Sequence, residues 1–297
     1  MTSGRLAGPF LLTFLLVATG CTGSSSGGSD REQPLVVATT TIWADIVMNV
    51  ACEEAIEVES LIPPGGDPHT YEPSLADRGR LESSDFVIAN GLGLEYGIDD
   101  TLDAVDEAGT PVIRVAPLVT GAVDPHVWFD PTAVALALPF IADALVEHAG
   151  LQRGGVDACV ASYSDDLADL DVQVFEMVDS LPVESRKLVT NHDSLGYFAD
   201  RYGFEILGTV IPSPSGLAEA NPADLAALAQ TIENEDVPVI FAETQHSADD
   251  AEALANEVGD VEVVTLETGT LGPPGSPSDT YVEFLLSNAS TITDSLR

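Results

Sequence analysis

The sequence predicts an α/β protein of two lobes, each built on a mostly parallel sheet flanked by helices and joined to the other by one long helix. Three observations favour this fold. Short apolar runs alternate with segments of helical periodicity, as in parallel sheets whose strands are connected by helices. The 297 residues suffice for two cores of ordinary size. An uninterrupted helical pattern near the middle is long enough to bridge two lobes.

The first half of the chain begins with Leu35–Thr39, a run of apolar and β-branched residues typical of a buried strand. Apolar residues at helical spacing follow over Ile42–Ala51, and Ala55–Leu61 alternates apolar with polar residues as a strand does. The same reasoning predicts strands at 86–89 and 111–115 and helices at 75–83, 101–108 and 131–148. Asn90-Gly-Leu-Gly-Leu-Glu95 lacks the third glycine of a dinucleotide site, so we interpret it as a tight turn.

The second half repeats this alternation after a long helical stretch. Asp157–Leu181 has no internal Gly or Pro and carries apolar residues at helical spacing, so we expect it to link the lobes. Strands are predicted at 187–190, 205–210, 238–242 and 261–266, and helices at 194–202, 222–234, 248–258 and from 280 into the tail. We therefore expect an N-terminal lobe at residues 35–155, a linking helix at 156–183 and a C-terminal lobe at 184–297.

The first 34 residues indicate export. Residues 1–20 carry Arg5 and then an apolar run from Phe10 to Ala18, which is the pattern of a signal peptide and is too short for a membrane span. Val-Ala-Thr-Gly-Cys21 resembles a lipoprotein processing site, so we expect Cys21 to carry a lipid and residues 21–34 to form a flexible tether. Plain secretion is the alternative. With no later apolar span, we expect an extracytoplasmic protein that meets the membrane only through this anchor.

Charge and cysteine content limit the classes of partner and of metal site that the protein can have. Of 10 Lys and Arg residues, all but Arg5 lie beyond residue 20, so the processed chain has a formal charge of 9 − 49 = −40. This acidity argues against nucleic acid and anionic lipid as partners. Once Cys21 is lipidated, Cys52 and Cys159 remain, and the sequence leaves open whether they form a disulfide. Neither has a Cys or His at chelating spacing, which argues against a cysteine-ligated metal.

Three histidines stand on loops beside predicted strands or turns. His69 lies in Ile62-Pro-Pro-Gly-Gly-Asp-Pro-His-Thr-Tyr-Glu-Pro73, where the prolines make a rigid loop after a strand. His126 lies in Asp124-Pro-His-Val-Trp-Phe-Asp-Pro131, and His192 follows the strand at 187–190. Open parallel sheets bind ligands at the carboxyl ends of their strands. Since neutral imidazole is a good ligand for divalent transition metals, we interpret the three as one metal site.

These segments together resemble the zinc and manganese receptors of bacterial ABC importers. The similar motifs are Ile42-x-x-Asp45, Gly65-Gly-Asp-Pro-His-Thr-Tyr-Glu-Pro73, Asn90-Gly-Leu-Gly-Leu-Glu95, Asp124-Pro-His-Val-Trp128, Asn191-His-Asp-Ser-Leu-Gly-Tyr-Phe198 with Arg201-Tyr-Gly203, and Pro212-Ser-Pro-Ser215. The resemblance implies a metal cleft between the lobes with His69, His126 and His192 as ligands. It also implies a receptor, not an enzyme, that delivers its metal to an ABC permease with a cytoplasmic ATPase. We expect a monomer.

The fourth ligand is where this chain departs from the family pattern. The resemblance places an Asp where Gly269 stands in Glu267-Thr-Gly-Thr-Leu-Gly272. Glu267, Asp279, Glu243 or a water are the candidates to complete the site. His246 is a further imidazole after a predicted strand, and it is a weaker candidate.

The ligand types predict zinc as the transported metal, because the third ligand is a His and the usual Asp is absent. Manganese, which prefers oxygen ligands, is the alternative. Three histidines with a bound water also form the arrangement of zinc hydrolases and hydratases. Glu72, Asp130 and Asp193 neighbour the histidines, but orienting the imidazoles explains them more simply than catalysis does. A surface adhesin of the same fold is a further alternative, for which the sequence carries no marker.

Overall fold

Two four-stranded parallel sheets form the framework of the protein in this computed structural model. The structure describes residues 1–2, 4, 31–52, 56–213 and 220–297. Nearly all of the predicted signal peptide, Cys21, the tether as far as residue 30 and the second half of the 212–215 motif therefore lie outside the described residues. Within the described part, no helix combines the length and apolarity that crossing a membrane requires.

A helix separates each strand from the next along the chain. The strands are β1 (Leu35–Ala38), β2 (Glu57–Ser60), β3 (Phe86–Ala89), β4 (Val112–Arg114), β5 (Lys187–Thr190), β6 (Glu205–Thr209), β7 (Val239–Glu243) and β8 (Glu262–Leu266). The helices are α1 (Thr41–Ala51), α2 (Leu75–Ser83), α3 (Asp99–Ala108), α4 (Ala116–Val119), α5 (Pro131–Glu147), α6 (Arg153–Asp179), α7 (Gly196–Tyr202), α8 (Pro222–Asn234), α9 (Asp249–Val258) and α10 (Tyr281–Ser295), with single 3₁₀ turns at Val127–Phe129 and Val183–Ser185.

Both sheets have the same strand order, β2-β1-β3-β4 in the first and β6-β5-β7-β8 in the second. Every pair of neighbouring strands is parallel. The predicted α/β fold with two parallel-sheet lobes is therefore confirmed. In this topology all eight strands direct their carboxyl ends, and the loops that follow them, to the edges where ligands of open sheets bind.

One hydrophobic core is shared by the two sheets. Val36 and Phe86 of the first sheet, Leu188 and Phe241 of the second, and Leu167 of α6 all belong to the same cluster of buried side chains. Smaller cores cover the other faces, where α2 and α3 pack on the first sheet and α8 and α9 on the second. The lobes are thus fastened to each other by continuous apolar packing.

The helix α6 begins at Arg153, earlier than the start at Asp157 predicted from its apolar residues. Gly154 and Gly155 fill its first turn, where backbone N–H groups have no intrahelical partner and a weak helix former is tolerated. The two sheets lie before and after α6 in the chain. The division into residues 35–155, 156–183 and 184–297 stays a prediction.

A disulfide between Cys52 and Cys159 answers the question that the sequence left open. Cys52 caps the end of α1 with a left-handed backbone, and Cys159 lies in the second turn of α6. Their Cα atoms are 5.7 Å apart, and the bond joins residues separated by 107 positions. It therefore fixes the first helix of the N-terminal lobe to the long helix.

Candidate metal centre

The three predicted histidines meet at the carboxyl ends of the strands. His69 lies on the loop between β2 and α2, His126 directly precedes a 3₁₀ turn and α5, and His192 follows β5. The Nε2 atom of His126 is 3.3 Å from Nε2 of His69 and 3.4 Å from Nε2 of His192. The nitrogen ligands of a tetrahedral zinc ion, each about 2.0–2.1 Å from the metal, lie about 3.3 Å from one another. The spacing of these atoms fits such an ion.

Carboxylates fix the orientation of two of the rings. Nδ1 of His126 lies 2.7 Å from Oδ1 of Asp124, and Nδ1 of His192 lies 2.5 Å from Oε1 of Glu243. A carboxylate accepts hydrogen bonds, so we assign a proton to Nδ1 of both rings. Each Nε2 then presents a lone pair to the space between the rings. Two lone pairs at this distance repel each other unless a cation lies between them.

The Asp-Pro-His sequence builds the loop at two of the three histidines. Oδ1 of Asp67 accepts a hydrogen bond from the backbone N–H of His69 at 2.9 Å, and Oδ1 of Asp124 accepts one from His126 at 3.0 Å. These are turns in which an Asp side chain bonds the backbone two residues later. Asn90 holds the second loop further, because its Nδ2 donates to the carbonyl of Pro125 at 2.9 Å.

Glu243 is buried at the end of β7, and both of its carboxylate oxygens accept hydrogen bonds from neighbouring residues. Its Oε1 accepts from His192 through both the ring and the backbone N–H, and its Oε2 accepts from Oγ1 of Thr268 at 2.5 Å. Burial acts to raise the pKa of Glu243, but the hydrogen bonds from His192 and Thr268 outweigh it and hold the pKa below its usual value. Glu243 is therefore an ionised group that orients His192.

Replacing Glu243 should weaken metal binding without removing a ligand. In Glu243→Ala the buried Nδ1–H of His192 loses its acceptor, and loss of such a partner lowers metal affinity by about 10- to 100-fold. Glu243→Gln keeps an oxygen acceptor at the same place, so its loss of metal affinity should lie near the lower end of that range, at about 10-fold. Competition with a chromophoric chelator measures both. Wild-type affinity in Glu243→Ala would show that His192 needs no such support.

His69 is neutral in the metal-free protein over the ordinary pH range. Burial lowers its pKa most, and the neighbouring rings of His126, His192 and His246 lower it further, to about 2. Its Nδ1 is buried without a hydrogen bond to the described residues. A neutral imidazole is the form that ligates metal, so His69 needs no deprotonation before binding.

The low pKa of His69 makes the metal-free protein less stable in acid. The unfolded chain takes up a proton at this residue below about pH 6.5, whereas the folded protein does not, so the free energy of unfolding falls as the pH decreases. The effect is about 2 kcal/mol between pH 7.5 and pH 5. Asp45 acts in the opposite direction, because burial raises its pKa to about 6.

The contribution of His69 is isolated by comparing urea unfolding of the wild type with that of His69→Ala across this pH range, both stripped of metal. The wild type should lose about 2 kcal/mol more than the variant. Parallel curves would contradict the buried neutral state of His69.

Only some of the candidates for a fourth ligand lie at the pocket of the three histidines. Glu243 and His246 line the pocket together with the three histidines, and Gly269 forms part of its wall. Glu267 and Asp279 are not among the described residues that line it. Glu267 accepts a hydrogen bond from Oγ of Ser278, and Asp279 accepts one from the backbone N–H of Gly275 at 2.5 Å. The structure therefore engages both of these carboxylates elsewhere.

The carboxylates that orient the rings differ from those that the sequence suggested. Asp130 caps α5 by accepting from the backbone N–H of Thr132 at 2.8 Å, and Glu72 is exposed. Asp124 and Glu243 take the orienting role instead. The repeated Asp-Pro-His sequence was a signal for Asp124, whereas no local pattern connects Glu243 with a histidine 51 positions away.

Hydrogen bonds between the lobes close the site. Gly65 donates its N–H to Oγ1 of Thr270 at 2.9 Å, and Nε1 of Trp128 donates to the carbonyl of Thr268 at 2.9 Å. We call these two bonds the clasp. The three histidines are 2–3 % exposed, and the pocket that they line together with residues such as Trp128 and Thr268 has a volume of ≈ 10 Å³, which suits one ion or one water.

The sequence and fold of this chain are similar to those of known metal-binding proteins. The family model described as "Zinc-uptake complex component A periplasmic" matches residues 36–295. Zinc-binding protein TroA of Treponema pallidum is 32% identical over 288 residues, covering 92% of this chain and 92% of that protein. Manganese-binding lipoprotein MntA of Bacillus subtilis is 30% identical over 315 residues, covering 100% of each. The solved structure of the periplasmic zinc binding protein TroA from Treponema pallidum is similar with a TM-score of 0.83 at 30% identity, over 89% of this chain and 99% of that chain.

Proposed function

Since the chain belongs to the zinc-uptake complex component A family, we propose that it is an extracytoplasmic receptor that captures a divalent transition metal and delivers it to an ABC permease with a cytoplasmic ATPase. His69, His126 and His192 hold the metal, and Zn²⁺ is bound in preference to Mn²⁺. The chain acts as a monomer. A lipid on Cys21 anchors it to the outer face of the cell membrane.

The observation that carries this proposal is the convergence of three Nε2 atoms in a buried, closed space. Asp124 and Glu243 direct the lone pairs of His126 and His192 into that space. Without a cation the arrangement brings the Nε2 lone pairs of His126 and His192 within 3.4 Å of each other, which is unfavourable unless a water occupies the pocket. A divalent ion turns this unfavourable arrangement into a binding site.

Zinc is favoured over manganese by the ligand types. Three imidazoles are nitrogen donors, and nitrogen donors suit Zn²⁺ better than the hard Mn²⁺ ion. Glu243, the buried carboxylate nearest to the rings, is already bonded to His192. Relatives of comparable similarity include one named for zinc and one named for manganese, so a manganese receptor is the alternative.

Competitive titration of the metal-stripped protein by calorimetry tests the proposal. One Zn²⁺ per chain should bind, and excess Mn²⁺ should not displace it. A preference for Mn²⁺ would favour the manganese alternative, and an absence of stoichiometric binding by either ion would overturn the receptor function.

A zinc hydrolase would use the same three ligands but needs room for a substrate. The enclosed space of ≈ 10 Å³ is far below the roughly 300 Å³ at which pockets for organic ligands begin. The Zn²⁺-loaded protein should therefore hydrolyse simple esters and hydrate CO₂ no faster than free Zn²⁺ does. Turnover above that of free zinc would revive the enzyme alternative.

A further inference from the structure

A fourth histidine forms part of the same wall. His246 follows β7 on a turn and contacts His192 edge to face, with ring centroids 4.9 Å apart. Candidate ligand atoms of His192, Glu243 and His246 lie within 4.8 Å of one another in a second cluster, which shares His192 with the cluster of His69, His126 and His192. His246 is half-buried, and its ring makes no hydrogen bond that the structure describes, so it is free to turn towards an ion held by the other three.

The carboxylates on the pocket wall are all occupied. Besides Glu243, the wall contains Asp67 among the described residues. Oδ1 of Asp67 accepts from the backbone N–H of His69 at 2.9 Å, and Oδ2 accepts from Oγ1 of Thr70 at 2.6 Å. Moving either acid towards the metal would break the bonds that position His69 or His192. Within the described part of the chain, His246 is the wall residue with an unused donor atom for a cation.

Gly269 lines the pocket but offers no ligand atom to it. A Cβ atom placed on Gly269 would lie 3.0 Å from Cδ of Pro68 and 3.5 Å from Gln245. A contact of 3.0 Å is tighter than nine in ten real Cβ contacts, so a side chain here would require Pro68 to shift by a few tenths of an ångström. Glycine itself supplies no ligand atom, so residue 269 does not fill the fourth position of the metal.

We propose that His246 is the fourth ligand, so that the metal is held by four imidazoles and the site selects late first-row ions against Mn²⁺ and Fe²⁺. This inference rests on the proposed metal-binding function and specifies its selectivity. Four neutral nitrogen donors leave the ion its full +2 charge and offer no oxygen ligand. Such a set favours Zn²⁺, and Mn²⁺ gains least from it.

Two measurements on His246→Ala test the assignment. X-ray absorption of the Zn²⁺-loaded protein should show four imidazoles in the wild type and three in the variant. The variant should lose about 10²-fold or more in Zn²⁺ affinity, because it lacks one of four ligands, while its Mn²⁺ affinity should change by less than about threefold. The ratio of Zn²⁺ affinity to Mn²⁺ affinity should therefore be lower in the variant than in the wild type.

His148→Ala is the control, because it also removes one imidazole but His148 is not among the described residues that line the pocket. It should keep four imidazoles and near-wild-type selectivity. Circular dichroism of the metal-free variants verifies that each is folded. We expect His246→Ala to fold, because His246 is only half-buried.

The outcomes separate this inference from the receptor function. The role of His246 would be overturned by finding three imidazoles in the wild type, or by equal Zn²⁺ affinity in the wild type and His246→Ala. The receptor function would still stand if the wild type bound one metal ion per chain. Failure of the wild type to bind any transition metal would instead overturn the receptor function, and this inference with it.

Discussion

Replacing His126 by Ala is expected to lower Zn²⁺ affinity by about 10²- to 10³-fold. The reason is the central position of His126, whose Nε2 contacts Nε2 of His69 and Nε2 of His192. Structural zinc sites bind with about 10–16 kcal/mol shared among four ligands, so each ligand accounts for about 2.5–4 kcal/mol. Chelator competition at neutral pH measures the loss, and the stoichiometry should be read at metal concentrations above the new dissociation constant.

His148→Ala is the matched control for this variant. His148 ends α5 and packs against Phe86 with ring centroids 5.9 Å apart, and it is not among the described residues that line the pocket. Its removal should leave Zn²⁺ affinity within about twofold of the wild type. Equal losses in the two variants would mean that the loss in His126→Ala reflects unfolding or surface binding rather than a missing ligand.

Removing the disulfide should produce the largest change in stability. The bond between Cys52 and Cys159 closes a loop of 107 positions, and chain-entropy estimates for loops of about 100 residues reach about 4.7 kcal/mol. Measured values are usually lower, so we expect Cys52→Ala/Cys159→Ala to reduce the free energy of unfolding by about 2–4 kcal/mol. Urea denaturation of the metal-free proteins measures the difference.

Reduction of the wild type provides an independent route to the same state. Adding a thiol reductant should shift the urea midpoint of the wild type towards that of the double variant and should leave the variant unchanged. Zn²⁺ affinity should be retained in both, since neither cysteine lines the pocket. A change in stability below about 0.5 kcal/mol would show that the packing of α1 on α6 suffices without the bond.

Most of the fold could be predicted because its signals are local. Buried strands such as Phe86–Ala89 are continuous apolar runs, and the periodicity of α6 is visible in its own residues. The short helix Ala116–Val119 was missed, since four residues are too few to show a period. The disulfide could not be decided either, because its two cysteines are brought together only by the packing of α1 on α6.

The site could be predicted in part for the same reason. Strand-end signals indicated His69 and His192, whereas the assignment of all three histidines to one metal site rested on the family resemblance, because their spacing in the sequence shows no chelating pattern. Their supporting groups depend on contacts between distant segments. Glu243 reaches His192 across the β5–β7 pair of the second sheet. His246 was the weaker candidate because its sequence surroundings carry no motif, and its place on the pocket wall becomes visible only in the structure.

The clasp has a consequence for how long a captured ion stays bound. An ion that leaves by separation of the two lobes has to wait until the Gly65–Thr270 and Trp128–Thr268 hydrogen bonds break. A bond of this kind is worth about 1 kcal/mol, which corresponds to roughly a fivefold slower escape for each bond. The time for which the ion stays bound and the strength of its bonds to the histidines are thus separable properties of the molecule. A docking partner that engages the loops of both lobes could shorten the dwell time of the ion without touching a single imidazole.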